Sequence, residues 1–220
     1  MHKVDVHEVF VDSHVAELAS AIADGDEAEV RRLAAATNIE ATGNDNVTLM
    51  QWAVLNESLP ALDALIHAGA DPAHLGMDGY TVVHTAAMVK DPRYLDLLLK
   101  RGVSANVLNG DRQTPLFTAI ATRRDQQFHA LLAAGASINV ADNGGNTPLH
   151  QAALVNDFER VRFLLEAGAD PRAMNAQKAT FQDFLFMSDP QFLTEKARRN
   201  RDAIRAWLTQ HGVPVTDTHR

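Results

Sequence analysis

Cysteine is absent from the 220-residue chain. Its absence excludes a disulfide framework and a thiolate zinc site, and leaves no residue to report the redox compartment. Aromatic side chains are scarce at 6%, with two Trp and two Tyr. Basic charge is in deficit too, since 20 Lys and Arg stand against 28 Asp and Glu for a net charge of −8. That balance argues against a broad binder of phosphate backbones, and so against nucleic acid as a partner. No apolar run approaches the roughly 20 residues that span a bilayer. The start, Met1-His-Lys-Val-Asp-Val-His-Glu-Val-Phe10, lacks the apolar segment of an export signal. As it stands the chain is expected to be soluble and cytoplasmic, or periplasmic if an export signal was removed ahead of it.

Signatures of chemistry are missing as well. Ten histidines are present, but none has His-Glu-x-x-His or other metal-ligand spacing. There is no Gly-x-x-x-x-Gly-Lys loop, Gly-x-Gly-x-x-Gly turn or Gly-x-Ser-x-Gly elbow. No catalytic residue, cofactor or metal ligand is assigned, and the chain is expected not to be an enzyme. A tract from Lys196 through Arg198, Arg199 and Arg201 to Arg205 has the composition of a phosphate-binding run. Interleaved with Ile204, Trp207 and Leu208 at helical spacing, it reads better as the solvated face of a helix.

What the chain has instead is a period. Thr48, Thr81, Thr114, Thr147 and Thr180 are each 33 residues apart, and Gly69, Gly102, Gly135 and Gly168 keep the same step. The clearest unit is Asp142-Asn-Gly-Gly-Asn-Thr147-Pro148-Leu149-His150-Gln-Ala152-Ala153. Thr147 suits an N-cap, Pro148 suits the first helical position because its missing N–H would go unpaired there, and Leu149, Ala152 and Ala153 give i, i+3, i+4 apolar spacing. Thr-Pro-Leu-His-x-Ala in a 33-residue unit resembles the ankyrin repeat. The resemblance extends over residues 14 to 212 and implies an all-α solenoid of helix-turn-helix units joined by β-hairpin-like loops. It also implies that His84 and His150, at the fourth position of the motif, hydrogen-bond neighbouring backbone.

In that frame residues 1–13 form an N-terminal arm, 14–215 a single repeat domain and 216–220 a tail. An N-terminal capping unit (14–43) precedes four complete repeats at about 44–76, 77–109, 110–142 and 143–175. An extended C-terminal unit (176–215) follows, whose closing Gly212 lies 44 residues after Gly168. The extra residues fall around Met187 to Lys196 and predict a longer connection before a last helix from Glu195 to Gln210. Asp91-Pro92 marks a helix start, with Asp91 as N-cap. Two residues before each threonine the repeat favours a left-handed glycine. The chain has Asn46, Gly79, Arg112 and Gly145 there, and arginine in that conformation costs about 1–2 kcal/mol.

The candidate binding surface lies beside the motif. Seven residues after each threonine stand Leu55, Met88, Ala121, Leu154 and Met187, and one further on stand Asn56, Val89, Thr122, Val155 and Ser188. Exposed apolar side chains in register form a stripe of the sort that marks interfaces. Three residues before the threonine come Asp45, Asp78 and Asp111, with Tyr80 beside Thr81. Such an acidic row suits a basic partner, and is equally accounted for by the preference of aspartate for turns. The expected partner is another protein, with the chain a monomer when free. Small stand-alone bacterial ankyrin proteins, which this chain resembles, include immunity proteins that occlude a secreted toxin such as a phospholipase. That likeness implies an inhibitor, with an intracellular adaptor or host-directed effector as the alternative.

Overall fold

The computed structural model describes residues 5–216. Residues 1–4 of the arm and 217–220 of the tail lie outside them. Thirteen α-helices follow in order among the described residues. The N-terminal part has α1 (Val6–Val9), α2 (Ser13–Asp24) and α3 (Glu27–Ala34). Four helix pairs then repeat: α4 (Leu49–Leu55) with α5 (Leu59–His67), α6 (Val82–Met88) with α7 (Arg93–Lys100), α8 (Pro115–Ala121) with α9 (Asp125–Ala133), and α10 (Pro148–Leu154) with α11 (Phe158–Glu166). The last unit has α12 (Phe181–Leu185), a 3-10 turn at Pro190–Phe192 and α13 (Glu195–Gln210). First helices stack on first helices from α2 to α12, with second helices packed beside them.

The periodic residues punctuate this stack. Each of the five threonines is the N-cap of a first helix, and Pro115 and Pro148 open theirs. Every second helix of the complete repeats closes on a glycine with φ between 82° and 93°. The left-handed turn lets the next N–H reach back, as in Ala70 N to Leu65 O at 3.0 Å and Ala169 N to Leu164 O at 2.8 Å. Helix α7 starts one residue later than Asp91-Pro92 suggests, with Pro92 as N-cap, though Asp91 Oδ1 still accepts from Arg93 N at 3.0 Å.

Between repeats the chain makes tight turns, and no β-strand forms among the described residues. A single bridge joins Thr42 to Thr48. Each turn closes like a small hairpin, from Gly76 N to Tyr80 O at 2.8 Å and Asp142 N to Asn146 O at 2.9 Å. Neighbouring turns are then joined by single rungs: Gly110 N to Gly79 O, Asn143 N to Asp111 O and Ala176 N to Gly144 O, at 2.8–2.9 Å.

The arm is part of the stack at its end, because Phe10 is buried and meets Trp52 edge-on at 5.5 Å. Trp52 Nε1 in turn donates to Ala19 O at 2.9 Å, tying the capping unit to the first repeat. In the C-terminal unit Arg201 is buried. It donates to the carbonyls of Ser188 and Phe186 and lies over the Phe186 ring at 5.1 Å, which fixes the longer connection.

Five equivalent turn positions are left-handed: Asn46 (φ 60°), Gly79 (71°), Arg112 (61°), Gly145 (77°) and Lys178 (62°). Arg112 and Lys178 are exposed, so their strain is not offset by burial. Replacing Arg112 or Lys178 by glycine relieves it, partly offset by the looser unfolded chain that glycine allows. Either substitution should raise Tm by about 2 °C in a calorimetric melt; a fall would show that the side chain contributes more than the strain costs.

Candidate functional site

The two motif histidines are bolts between repeats. His84 and His150 are buried. Their Nδ1 atoms meet Thr81 Oγ1 and Thr147 Oγ1 at 2.9 Å, and their Nε2 atoms reach the Gln113 and Ala179 carbonyls of the next unit at 2.9 and 3.1 Å. Because Nε2 faces a carbonyl it carries the proton, and the ring is neutral. Burial holds the His84 pKa down at about 4 and lowers that of His150. Gln51 occupies the same place in the first repeat and spans the same gap: its Oε1 accepts from Thr48 N and its Nε2 donates to Tyr80 O of the next unit, each at 3.2 Å. Phe117 cannot, and the buried Thr114 hydroxyl is left without a partner. These side chains are scaffold.

The apolar stripe is partly open to solvent. Leu55, Leu154 and Met187 are 43%, 55% and 66% exposed, and Ala121 is exposed too. Met88 is half-buried. Val89 and Val155 pack half-buried against the core, because a position just past the helix turns back toward the second helix. Arg124 Nε donates to Met88 O at 2.7 Å and Gln127 Nε2 to Val89 O at 2.8 Å, so this corner is fastened to the following repeat.

Asp45, Asp78 and Asp111 stand exposed at successive turns, but they are not equivalent in backbone. Asp45 and Asp78 are left-handed at φ 54°, whereas in the third repeat the left-handed residue is Arg112. Tyr80 is half-buried and stacks on His84 at 5.7 Å, which leaves one face for contact.

Sequence reasoning missed a second row. Leu75, Leu108 and Met174, each six residues before a threonine, are 42%, 37% and 63% exposed. The same 33-residue step reveals them once turns are aligned as well as helices.

A groove of roughly 720 Å³ also opens among α9, α11 and α13. Its aromatic side holds Phe128, His129 and Phe163, with ring centroids 5.3–5.6 Å apart. Buried Arg160 pairs with Asp157 and with Asp125 of the previous repeat, and lies over Phe128. Lys196 meets Glu159 at 2.6 Å across the groove. Among the described residues no group of three or more acidic or histidine side chains has metal-holding geometry, and no helix is long and apolar enough to cross a membrane.

Short stacked helix pairs that present a periodic solvent-facing row define a helical-repeat scaffold for binding proteins. Residues 83–175 match the family model for ankyrin repeats in three copies, and the fold is an ankyrin-repeat solenoid. The solved ankyrin-repeat domain of Bcl-3, described as a unique member of the IkappaB protein family, superposes with a TM-score of 0.74 at 25% identity, covering 90% of this chain and 86% of that one. EF0377, an ankyrin-repeat protein, superposes at 0.71 with 21% identity, over 87% of this chain and 97% of its own, and supports the fold alone. Protein PhlB of Serratia liquefaciens is 44% identical over 60 residues. That match spans 27% of this chain and 26% of the length of PhlB.

Gln51 shows that glutamine can replace the histidine bolt, and this predicts the pH behaviour of His84. Its folded pKa of about 4 lies below the ordinary 6.5, so the unfolded chain binds a proton that the folded chain refuses. Stability is therefore complete above pH 6.5 and falls as pH drops toward 4, by up to about 3 kcal/mol from this residue. His84→Gln should keep Tm within a few degrees at pH 7 and flatten the loss between pH 6.5 and 4; an unchanged acid profile would show that His84 does not carry it.

Proposed function

We propose that the chain is a non-catalytic inhibitor that docks a partner protein on its first-helix side and covers the partner's working cleft. The specific version is a bacterial immunity protein that blocks a secreted toxin of the phospholipase kind. One observation carries the binding part: Leu55, Leu154 and Met187 recur at one position of the repeat and remain 43–66% exposed. Nothing in the scaffold demands leucine or methionine there. Isolated exposed apolar residues are ordinary, but a row in register with the repeat is a patch, and patches of that kind are contact surfaces. Leu75, Leu108 and Met174 supply a second row at the turns, beside Asp45, Asp78 and Asp111. An apolar surface edged by carboxylates suits a cleft edged by cations, as in a protein that handles phosphate esters. A bacterial setting is in keeping with the local likeness to a protein of Serratia liquefaciens. A partner outside a toxin class would favour the intracellular adaptor instead, and the compartment follows the partner.

Leu55 and Leu154 are exposed, so changing them leaves the core intact. With the immobilised chain used to capture a partner from the source organism, and that partner then purified, Leu55→Asp combined with Leu154→Asp should weaken binding about a hundredfold or more. Circular dichroism and Tm should stay as in the parent. Undiminished affinity would remove the first-helix side as the interface.

A further inference from the structure

The groove among α9, α11 and α13 is built on the second helices and takes no part in the surface described above. Two residues before Thr194 of its lining stands the most exposed aromatic ring of the described residues, Phe192, at 83%. Such a side chain is usually shed into a loop free to fold it away, but here the loop is held. Asp189 Oδ1 accepts from Gln191 N at 2.9 Å, the 3-10 turn spans Pro190–Phe192, and buried Arg201 donates to the carbonyls just before it. A rigidly presented apolar knob loses little freedom on docking.

We propose that two copies of the chain associate through this groove, each seating Phe192 on the aromatic side of the other's groove. The groove volume of roughly 720 Å³ admits a phenyl ring with room to spare. Phe163 is 39% exposed beside Phe128 and His129, and offers ring edges and faces for a T-shaped contact. Knob and hole belong to one patch, since Phe192 lies two residues before Thr194, which lines the groove. A patch carrying both is self-complementary about a two-fold axis, and the association closes at two copies. Charge balance suits a second copy here better than on the acidic N-terminal half. Residues 1–100 carry 16 acidic against 6 basic side chains, whereas the groove lining carries four of each. Two copies of a chain with net charge −8 meet there with less repulsion than across residues 1–100. None of Leu55, Leu154 and Met187 lines the groove, so this pairing does not rest on the inhibitor function.

Sedimentation equilibrium on the full chain, from low micromolar to several hundred micromolar, tests it. The expected result is a weak monomer–dimer equilibrium. Phe192→Ser should raise the dimer Kd about tenfold or more with Tm unchanged, because the side chain is exposed. Phe163→Ser should do the same from the groove side, while Met187→Ser at the start of the same connection should not. A chain that stays monomeric throughout, a dimer indifferent to Phe192→Ser, a dimer dissolved by Met187→Ser, or species that keep growing with concentration would each overturn the proposal. A monomeric chain that still captured an aromatic-bearing segment of another protein at Phe163 would reassign the groove to a different partner.

Discussion

A helix of seven residues does not hold itself together in water, and the four first helices of the complete repeats are each seven residues long. Their stability comes from neighbours. Each buries nearly every side chain against the first helices on either side and the second helix behind, leaving alanines such as Ala86, Ala119 and Ala152 fully buried where backbones come close. Other features serve this mutual dependence. The capping box of Thr48 and Gln51 pairs backbone N–H groups at the start of α4, the turn rungs fix the spacing, and the histidine bolts satisfy a carbonyl that stacking would otherwise bury unpaired. Where Phe117 replaces the histidine, the unpartnered Thr114 hydroxyl marks the cost.

Dependence on neighbours makes the ends exceptional. At one end Phe10 and Trp52 close the stack with aromatic packing. At the other, the extra residues of the last unit bring α13 against α11, and a buried arginine occupies what would otherwise be apolar space. Arg201 is tolerated there because it spends its donors on backbone carbonyls and its face on Phe186.

Much of the fold was legible because repetition amplifies weak local signals. Thr147 alone is an ambiguous cap, but five threonines in phase are a ruler, and they located every first helix after the N-terminal unit. The left-handed arginine at 112 was equally readable, since the turn demands that conformation whatever residue fills it. Legibility ended where contacts cross between units without a repeating signal. Gln51 looks like a lost histidine in sequence, yet its amide reproduces the histidine geometry. Lys178 escaped notice because the last unit departs from the pattern on either side. Val89 and Val155 seemed as open as Leu154, but one step past the helix end rotates a side chain back toward the second helix, and only packing reveals it. The groove of Phe163 and Arg160 joins three second helices and has no signature along the chain.

The same logic bears on where binding residues belong. A repeat position that caps, bolts or packs is constrained by its neighbours, so its residue type says little about a partner. Leu55, Leu154 and Met187 occupy a position that is exposed in four of the five units, Met88 being half-buried, and Ala121 holds the same place in the third repeat without disturbing the register. Large apolar side chains at such a position carry a solubility cost and gain from the fold only part of the burial a core position gives. A partner docked there would supply the rest. The aspartates at the turns lack this force, because Asp45 and Asp78 sit in a left-handed conformation that aspartate tolerates better than most residues. The leucines and methionine are therefore the stronger evidence for a partner, and the carboxylates indicate only the sign of charge that it would have to meet.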